Sequence, residues 1–350
     1  MLCRCSSAIQ LEKRENALRK IFAGQAFTLA LVAVLLLAYW FPEHGVSGGA
    51  LRTEVTTPLA VVVIFFLQGL NLSGVAMKRG FSSWKVQLFA HSFGFFLMPL
   101  VAWACVSNGW VSPGLAPGLL FLSILPTTIS TSVVYSDASG GDAAASTFCA
   151  ASSNLLAIFL VPALASWLIF PQLEGNLSGQ DAGGLGFYTH FLERLVWLIA
   201  LPMLVGLLAR RFLASLIEHR GVFLRNASFC CVLFIAYAGF CKGFREGDDS
   251  LSDGFFVEAV LWVLALLAFA NFSALFLLKF FRFSWPQVIS CFFASTQKSL
   301  AVGLPMGYLL FGQENPRLFA ILLPLVLFHP LQLLLGASLC SLLPKNSSRT

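Results

Sequence analysis

Charged side chains are what this chain has least of: Asp, Glu, Lys and Arg make up 11% of its 350 residues, against 58% hydrophobic. A soluble globular domain carries about 25% charged residues, so a water-soluble fold is excluded. Strictly alternating apolar segments are absent, and with them the pattern of a transmembrane β-barrel. There is no glycine-rich phosphate loop, no His-Glu-x-x-His pair and no nucleophile elbow, so neither an ATP-driven pump nor a hydrolase has support, and an enzyme is not expected. Asp137 and Asp142 share one short loop, whereas an intramembrane aspartyl protease needs its pair on facing helices. Cysteine supplies no framework either. Cys105, Cys149, Cys230, Cys231, Cys241, Cys291 and Cys340 fall within apolar runs and Cys3 and Cys5 form a bare C-x-C pair, so disulfides are not expected. The long charged lead, the apolar run that continues past it and the lack of a small-residue cleavage site do not fit a signal peptide.

What is there is a series of apolar runs near the length of a membrane span. Ten spans are predicted, at about 21–41, 56–73, 84–107, 116–135, 143–170, 188–209, 226–241, 254–278, 286–311 and 316–343. The net charge of +6 could suggest nucleic acid, but its distribution says otherwise. Lys13, Arg14, Arg19 and Lys20, then Lys78, Arg79 and Lys85, then Arg210, Arg211, Arg220 and Arg225, and finally Lys345 and Arg349 fall on one side. The opposite loops mix a few basic residues with Glu43, Glu54, Glu174, Asp181, Asp248 and Asp249. By the positive-inside rule both termini are cytoplasmic. The partner is the lipid bilayer, with no nucleic acid, and a plasma or inner membrane is expected. Residues 1–18 and 344–350 read as cytoplasmic tails flanking one membrane domain, 19–343.

Two spans interrupt their apolar character. The fourth contains Leu125-Pro126-Thr127-Thr128-Ile129-Ser130-Thr131-Ser132, a proline and five hydroxyls. Proline frees a carbonyl and the hydroxyls offer replacement partners, so a broken helix is expected. The ninth contains Ser295-Thr296-Gln297-Lys298-Ser299, and a lysine at mid-membrane depth costs about 2.5–3.5 kcal/mol on insertion scales. Such a residue is kept where something pairs with it or water reaches it. Elsewhere, Gln68 and Asn71 share a helical face and are expected to point inward. His91 with Pro99 reads as a satisfied core histidine and a kink, and His329-Pro330 as a second kinked, polar centre. Among the Asn-x-Ser sequons, only Asn176 falls in a predicted outer loop.

Ten spans divide into two sets of five, and an odd number per half makes any internal repeat an inverted one. Residues 19–171 and 186–343 would be the halves. The fourth and ninth spans then correspond, and interrupted segments at equivalent places point to a transport site.

These motifs resemble the bile acid:sodium symporter family, in its cotransporter 7-like branch. The resemblance is carried by Ala294-Ser295-Thr296-Gln297-Lys298-Ser299-Leu300 with Gly303-Leu304-Pro305, by Leu323-Pro324 and by His329-Pro330-Leu331-Gln332. Phe65-Phe66…Gly69-Leu70 and Gly140-Gly141-Asp142 add to it. It implies an all-α polytopic membrane protein of ten transmembrane helices in two inverted five-helix repeats. Helices four and nine would be broken and crossing in a core domain, beside a panel of helices one, two, six and seven. It further implies an ion site at the crossover: Thr131 and Ser132 fall at the helix-four ligands, Ser146 at a helix-five hydroxyl and Gln297 at the helix-nine glutamine. The glutamate four residues before that glutamine is Phe293 here, and the asparagine after it is Lys298. Losing a carboxylate and gaining an ammonium both oppose a hard cation that wants oxygen ligands.

The expected function is secondary transport of a small organic anion by alternating access, with sodium or a proton as coupling ion and no other cofactor. The expected site is Thr131, Ser132, Ser146, Thr296, Gln297 and Lys298, with Thr127, Thr128, Ser130, Ser295, Ser299 and His329 around it. The Lys298 ammonium would occupy the space of a bound sodium ion, or pair with the anionic substrate. A lysine snorkelling to the surface is the bland reading of the same residue. The alternative function is a non-transporting membrane regulator of calcium or secretory-pathway homeostasis.

Overall fold

A computed structural model of the protein describes residues 26–72, 83–173, 192–246, 253–312, 315 and 317–342. The two tails, the Cys3/Cys5 pair, Lys78 and Arg79, the Asn176 sequon and the centre of the acidic 242–253 loop lie outside the described residues. Among the described residues the regular structure is entirely helical, without a strand. Among the described residues, seven helices are long and apolar enough to cross a membrane, or eight if one bent pair is a single span.

In chain order the helices are α1 (Ala26–Trp40), α2 (Thr53–Asn71), α3 (Trp84–Ser107), α4 (Ala116–Ile124), α5 (Ile129–Ala138) and α6 (Ala143–Leu168). They continue with α7 (Leu192–Leu213), α8 (His219–Arg245), α9 (Asp253–Phe280), α10 (Trp285–Thr296), α11 (Leu300–Phe311) and α12 (Leu318–Leu342). Two predicted spans are thus each two helices. The fourth becomes α4 and α5, bent by 58°. Leu125 is extended (φ −71°, ψ 150°), as a residue before proline must be, and Thr128 is extended again before α5 begins. The ninth becomes α10 and α11, with Gln297 and Ser299 extended. No proline stands at that break, so other partners hold it open.

One expected loop is a helix instead. Arg210, Arg211, Arg220 and Arg225 do not separate two spans by a loop: helix runs from Leu201 to Glu246, with a kink at Arg220 (φ −120°, ψ 21°). Arginine favours helix almost as well as leucine, so loss of hydrophobicity here ends the membrane segment and not the helix.

Three of the four helices of the broken spans, α4, α10 and α11, are deeply buried, whereas α5 buries only Ser132, Tyr135 and Ser136. Every residue of α4 from Ala116 to Ile124 is buried, as is nearly all of α10 from Val288 and of α11. By contrast α9 exposes Leu261, Leu264, Phe272 and Phe276, the surface expected toward lipid. The turn before α6 uses Gly140 at φ +80°, a conformation that glycine adopts without steric cost. Asp142 then caps α6, its Oδ1 accepting the N–H groups of Ala144 and Ala145 at 3.0 Å each. Asp137 is exposed, so the two aspartates are a turn and a cap. The expectation for Gln68 and Asn71 divides: Gln68 is half-buried, whereas Asn71 is exposed and donates to Leu67 O of its own helix at 2.9 Å.

Helices α2 and α7 meet backbone to backbone. A Cβ at Gly69 would collide with Met203 O, and one at Gly206 with Phe66 O. Arg210 Nη1 reaches across the same contact to donate to Leu70 O. Gly206→Val is therefore expected to lower the thermal unfolding midpoint in detergent, by the equivalent of about 1–3 kcal/mol. Gly254→Ala, where a Cβ meets nothing within 4 Å, should leave the midpoint unchanged.

Candidate functional site

The two breaks lie against each other and supply each other's missing hydrogen bonds. Ser299 N–H donates to Pro126 O at 2.9 Å, so the second break is bonded to the first. Thr131 Oγ1 donates to Gln297 Oε1 across the same junction. In a bilayer, with no water for a freed peptide group, such mutual satisfaction is what permits irregular backbone.

Lys298 sits at the centre, with 2% of its surface exposed. Its Nζ donates to Ser123 O at 2.6 Å, Leu125 O at 2.8 Å and Gly94 O at 3.1 Å. An ammonium has three N–H donors, and three carbonyls meet them. The side chain does not snorkel to the surface. Each carbonyl is free for a definable reason. Ser123 O would receive Thr127 N–H in a continued helix, but that N–H turns to Ser153 Oγ at 3.1 Å. Leu125 O lies at the break itself. Gly94 lies in a π-helical turn, Phe93–Leu97, where Met98 N–H bonds to Phe93 O. In that register the donor for Gly94 O would be residue 99, which is proline and has none. Two of the three carbonyls also lie at the C-terminal end of α4, the negative end of its dipole.

The backbone of Lys298 is held as tightly as its side chain. Its N–H donates to Gln332 Oε1 at 2.7 Å and its C=O accepts from Gln332 Nε2 at 2.8 Å. Gln332 Nε2 also lies 3.0 Å from His329 Nδ1.

Of the expected site residues, Thr131, Gln297, Lys298 and Ser299 come together at the junction. Ser132, Ser295 and Thr296 are buried beside it, but their hydroxyls donate to carbonyls of their own helices, Thr128 O, Cys291 O at 2.6 Å and Phe292 O at 2.8 Å. Ser299 Oγ accepts Val302 N–H at 3.3 Å and so caps α11. Thr127 and Thr128 are buried in the break, and Ser146 is buried in the first turn of α6. Among the described residues, Thr127 Oγ1, Ser146 Oγ and both amide atoms of Asn154 have no hydrogen-bond partner. Ser130 is exposed. His329 is buried, its ring edge-on to Phe27 at 5.7 Å. His91 is satisfied as expected, by Ser152 Oγ at 2.9 Å. Phe293 packs on Tyr135 with ring centroids 5.5 Å apart.

Gln332, Gly94 with Pro99, and Ser153 take part in the junction without having been among the expected site residues. A proline within a span signals a freed carbonyl, and that signal was present at Pro99. Nothing in the local sequence marks Gln332 as a partner of residue 298. A cavity of about 10 Å³, on the scale of one water molecule, opens beside the junction between Asn271, Thr296, Gln297 and Gln332. No cluster of three or more His, Cys, Asp or Glu side chains that could hold a metal occurs among the described residues.

The sequence pattern of the SBF-like CPA transporter family matches residues 25–345. Among curated proteins the chain is similar to the sodium/bile acid cotransporter 7-A of Xenopus laevis, 28% identical over 321 residues, 89% of this chain and 90% of the relative. It is similar to the sodium/bile acid cotransporter 7 of Danio rerio, 29% identical over 325 residues, with 89% and 91% covered. It is also similar to the putative symporter YfeH of Escherichia coli, 28% identical over 318 residues, with 89% and 91% covered.

Lys298→Met removes the donor from three buried carbonyls, each costing about 1–3 kcal/mol when orphaned. A clear fall in the thermal midpoint in detergent is expected, against no change for Lys279→Met at the exposed end of α9. Pro99→Ala restores a donor that competes for Gly94 O and should lower the midpoint less than Lys298→Met does.

Proposed function

The chain belongs to the SBF-like CPA transporter family, and on that premise we propose that it is a secondary transporter in which the Lys298 ammonium takes the place of a bound cation. The observation that carries this is the cradle of three main-chain carbonyls around Nζ. Main-chain carbonyls at a broken helix are the ligands a hard cation would take, and here a tethered cation holds them. On this reading the chain forms ten spans in two inverted repeats, 19–171 and 186–343, with the breaks at 125–128 and 297–299 at corresponding places. Both termini face the cytoplasm of a plasma or inner membrane. The substrate is a small organic anion, a class that includes the bile acids in the cotransporter relatives' names, moved by alternating access.

The donor set favours a proton over sodium as the coupling ion. Phe293 offers no oxygen, Thr131 and Gln297 are bonded to each other, and Ser132 and Thr296 are turned to their own backbones. Of the six expected ligands, Ser146 alone combines burial with an oxygen that has no partner among the described residues. A protonated Lys298 matches all three carbonyls. A neutral amine has two N–H groups and leaves one carbonyl unsatisfied, so loss of the proton loosens the junction between the breaks.

The test is current from protein in liposomes on a solid-supported membrane, with a panel of organic anions under imposed sodium or proton gradients. Currents are expected with the proton gradient alone and are expected to vanish in Lys298→Met, with folding confirmed. Currents that require sodium would overturn the tethered-cation reading. Silence from folded wild-type protein across the panel would overturn transport and favour a regulator.

A further inference from the structure

Gln332 makes two bonds to the backbone of one residue, Lys298, one in each of the two peptide groups that flank its Cα. Lys298 N–H and C=O both lie in the break between α10 and α11, and Gln332 satisfies both, at 2.7 and 2.8 Å. This arrangement fixes the amide: Oε1 must face the N–H and Nε2 must face the C=O. The second hydrogen on Nε2 then points to His329 Nδ1, 3.0 Å away, so Nδ1 accepts and the ring hydrogen sits on Nε2. A histidine carrying hydrogen on Nδ1 would set donor against donor, and turning the amide to suit it would break both bonds to Lys298. His329 in turn stands edge-on to Phe27 of α1, and Phe27 packs on Phe229 of α8 with centroids 4.7 Å apart.

We propose that Gln332, braced by His329, is a positioning residue that holds the Lys298 backbone so that Nζ reaches its three carbonyls. The chain of contacts Phe229–Phe27–His329–Gln332–Lys298 makes α12 the joint through which α1 and α8 act on the junction. The proposal deepens the tethered-cation reading of the same site. Its test needs neither substrate nor gradient, so failure of either leaves the other standing.

The Lys298 amide owes its protection to a side chain and the Ser299 amide to Pro126 O, so neighbouring amides serve as test and control. Hydrogen–deuterium exchange resolved to single residues is measured on the full chain in detergent. Gln332→Leu is expected to speed exchange at Lys298 roughly tenfold, the loss of one buried hydrogen bond, with Ser299 and α9 changed less than about twofold. Gln332→Glu keeps an acceptor for the N–H and is expected to hold Lys298 within about threefold of wild type. His329→Leu leaves the clamp without its brace, and is expected to fall between the two; it serves as the test if Gln332→Leu does not fold. Unchanged exchange at Lys298 in Gln332→Leu or His329→Leu, or an equal rise at Ser299 and throughout α9, would overturn the proposal.

Discussion

A broken helix inside a bilayer exposes peptide groups to a medium that offers them nothing, and the rest of this structure is arranged around that constraint. Two breaks are placed together so that each supplies what the other lacks. Ser299 N–H goes to Pro126 O. The remaining carbonyls, which no N–H in the vicinity can satisfy, go to an ammonium. The ammonium needs the carbonyls as much as they need it, since an unpaired charge at this depth would be more costly than any single hydrogen bond is worth. Neither half of the arrangement is stable alone.

The consequences spread outward from Nζ. Gly94 O is available because α3 takes one π-helical turn ahead of Pro99. Ser123 O is available because Ser153 of α6 draws Thr127 N–H away. Phe293, at the foot of the second break, packs its ring on Tyr135. Tyr135 in turn donates its hydroxyl to Leu333 O of α12 at 3.0 Å.

Much of this was legible in the chain before any coordinates. Composition fixed a helical membrane protein, Pro126 with its five neighbouring hydroxyls marked the first break, and a lysine inside an apolar run marked the second. The pairing of Lys298 with backbone oxygens, and not with a carboxylate, was not legible. Backbone carbonyls are present at every residue, and only the three-dimensional register decides which are free. The same applies to Gln332, which touches residue 298 from 34 positions away. Serine and threonine in a membrane helix readily bond the carbonyl one turn back, as Ser132, Ser295 and Thr296 do, a choice of partner that the residue type does not announce. Boundary errors had a simpler origin. Arg210 to Arg225 are charged, and charge ends a hydrophobic window while leaving helix propensity intact.

The glycine contact between α2 and α7 carries a kinematic consequence. Gly69 faces Met203 O while Gly206 faces Phe66 O, so each helix holds a notch in which the other's backbone rests. Sliding by one residue in either direction would bring a side chain into that notch and force the axes apart. Translation along the contact is thereby blocked, and Arg210, bonded to Leu70 O, closes the same end of it. The two helices are indexed to one another and must travel together as a single rigid pair.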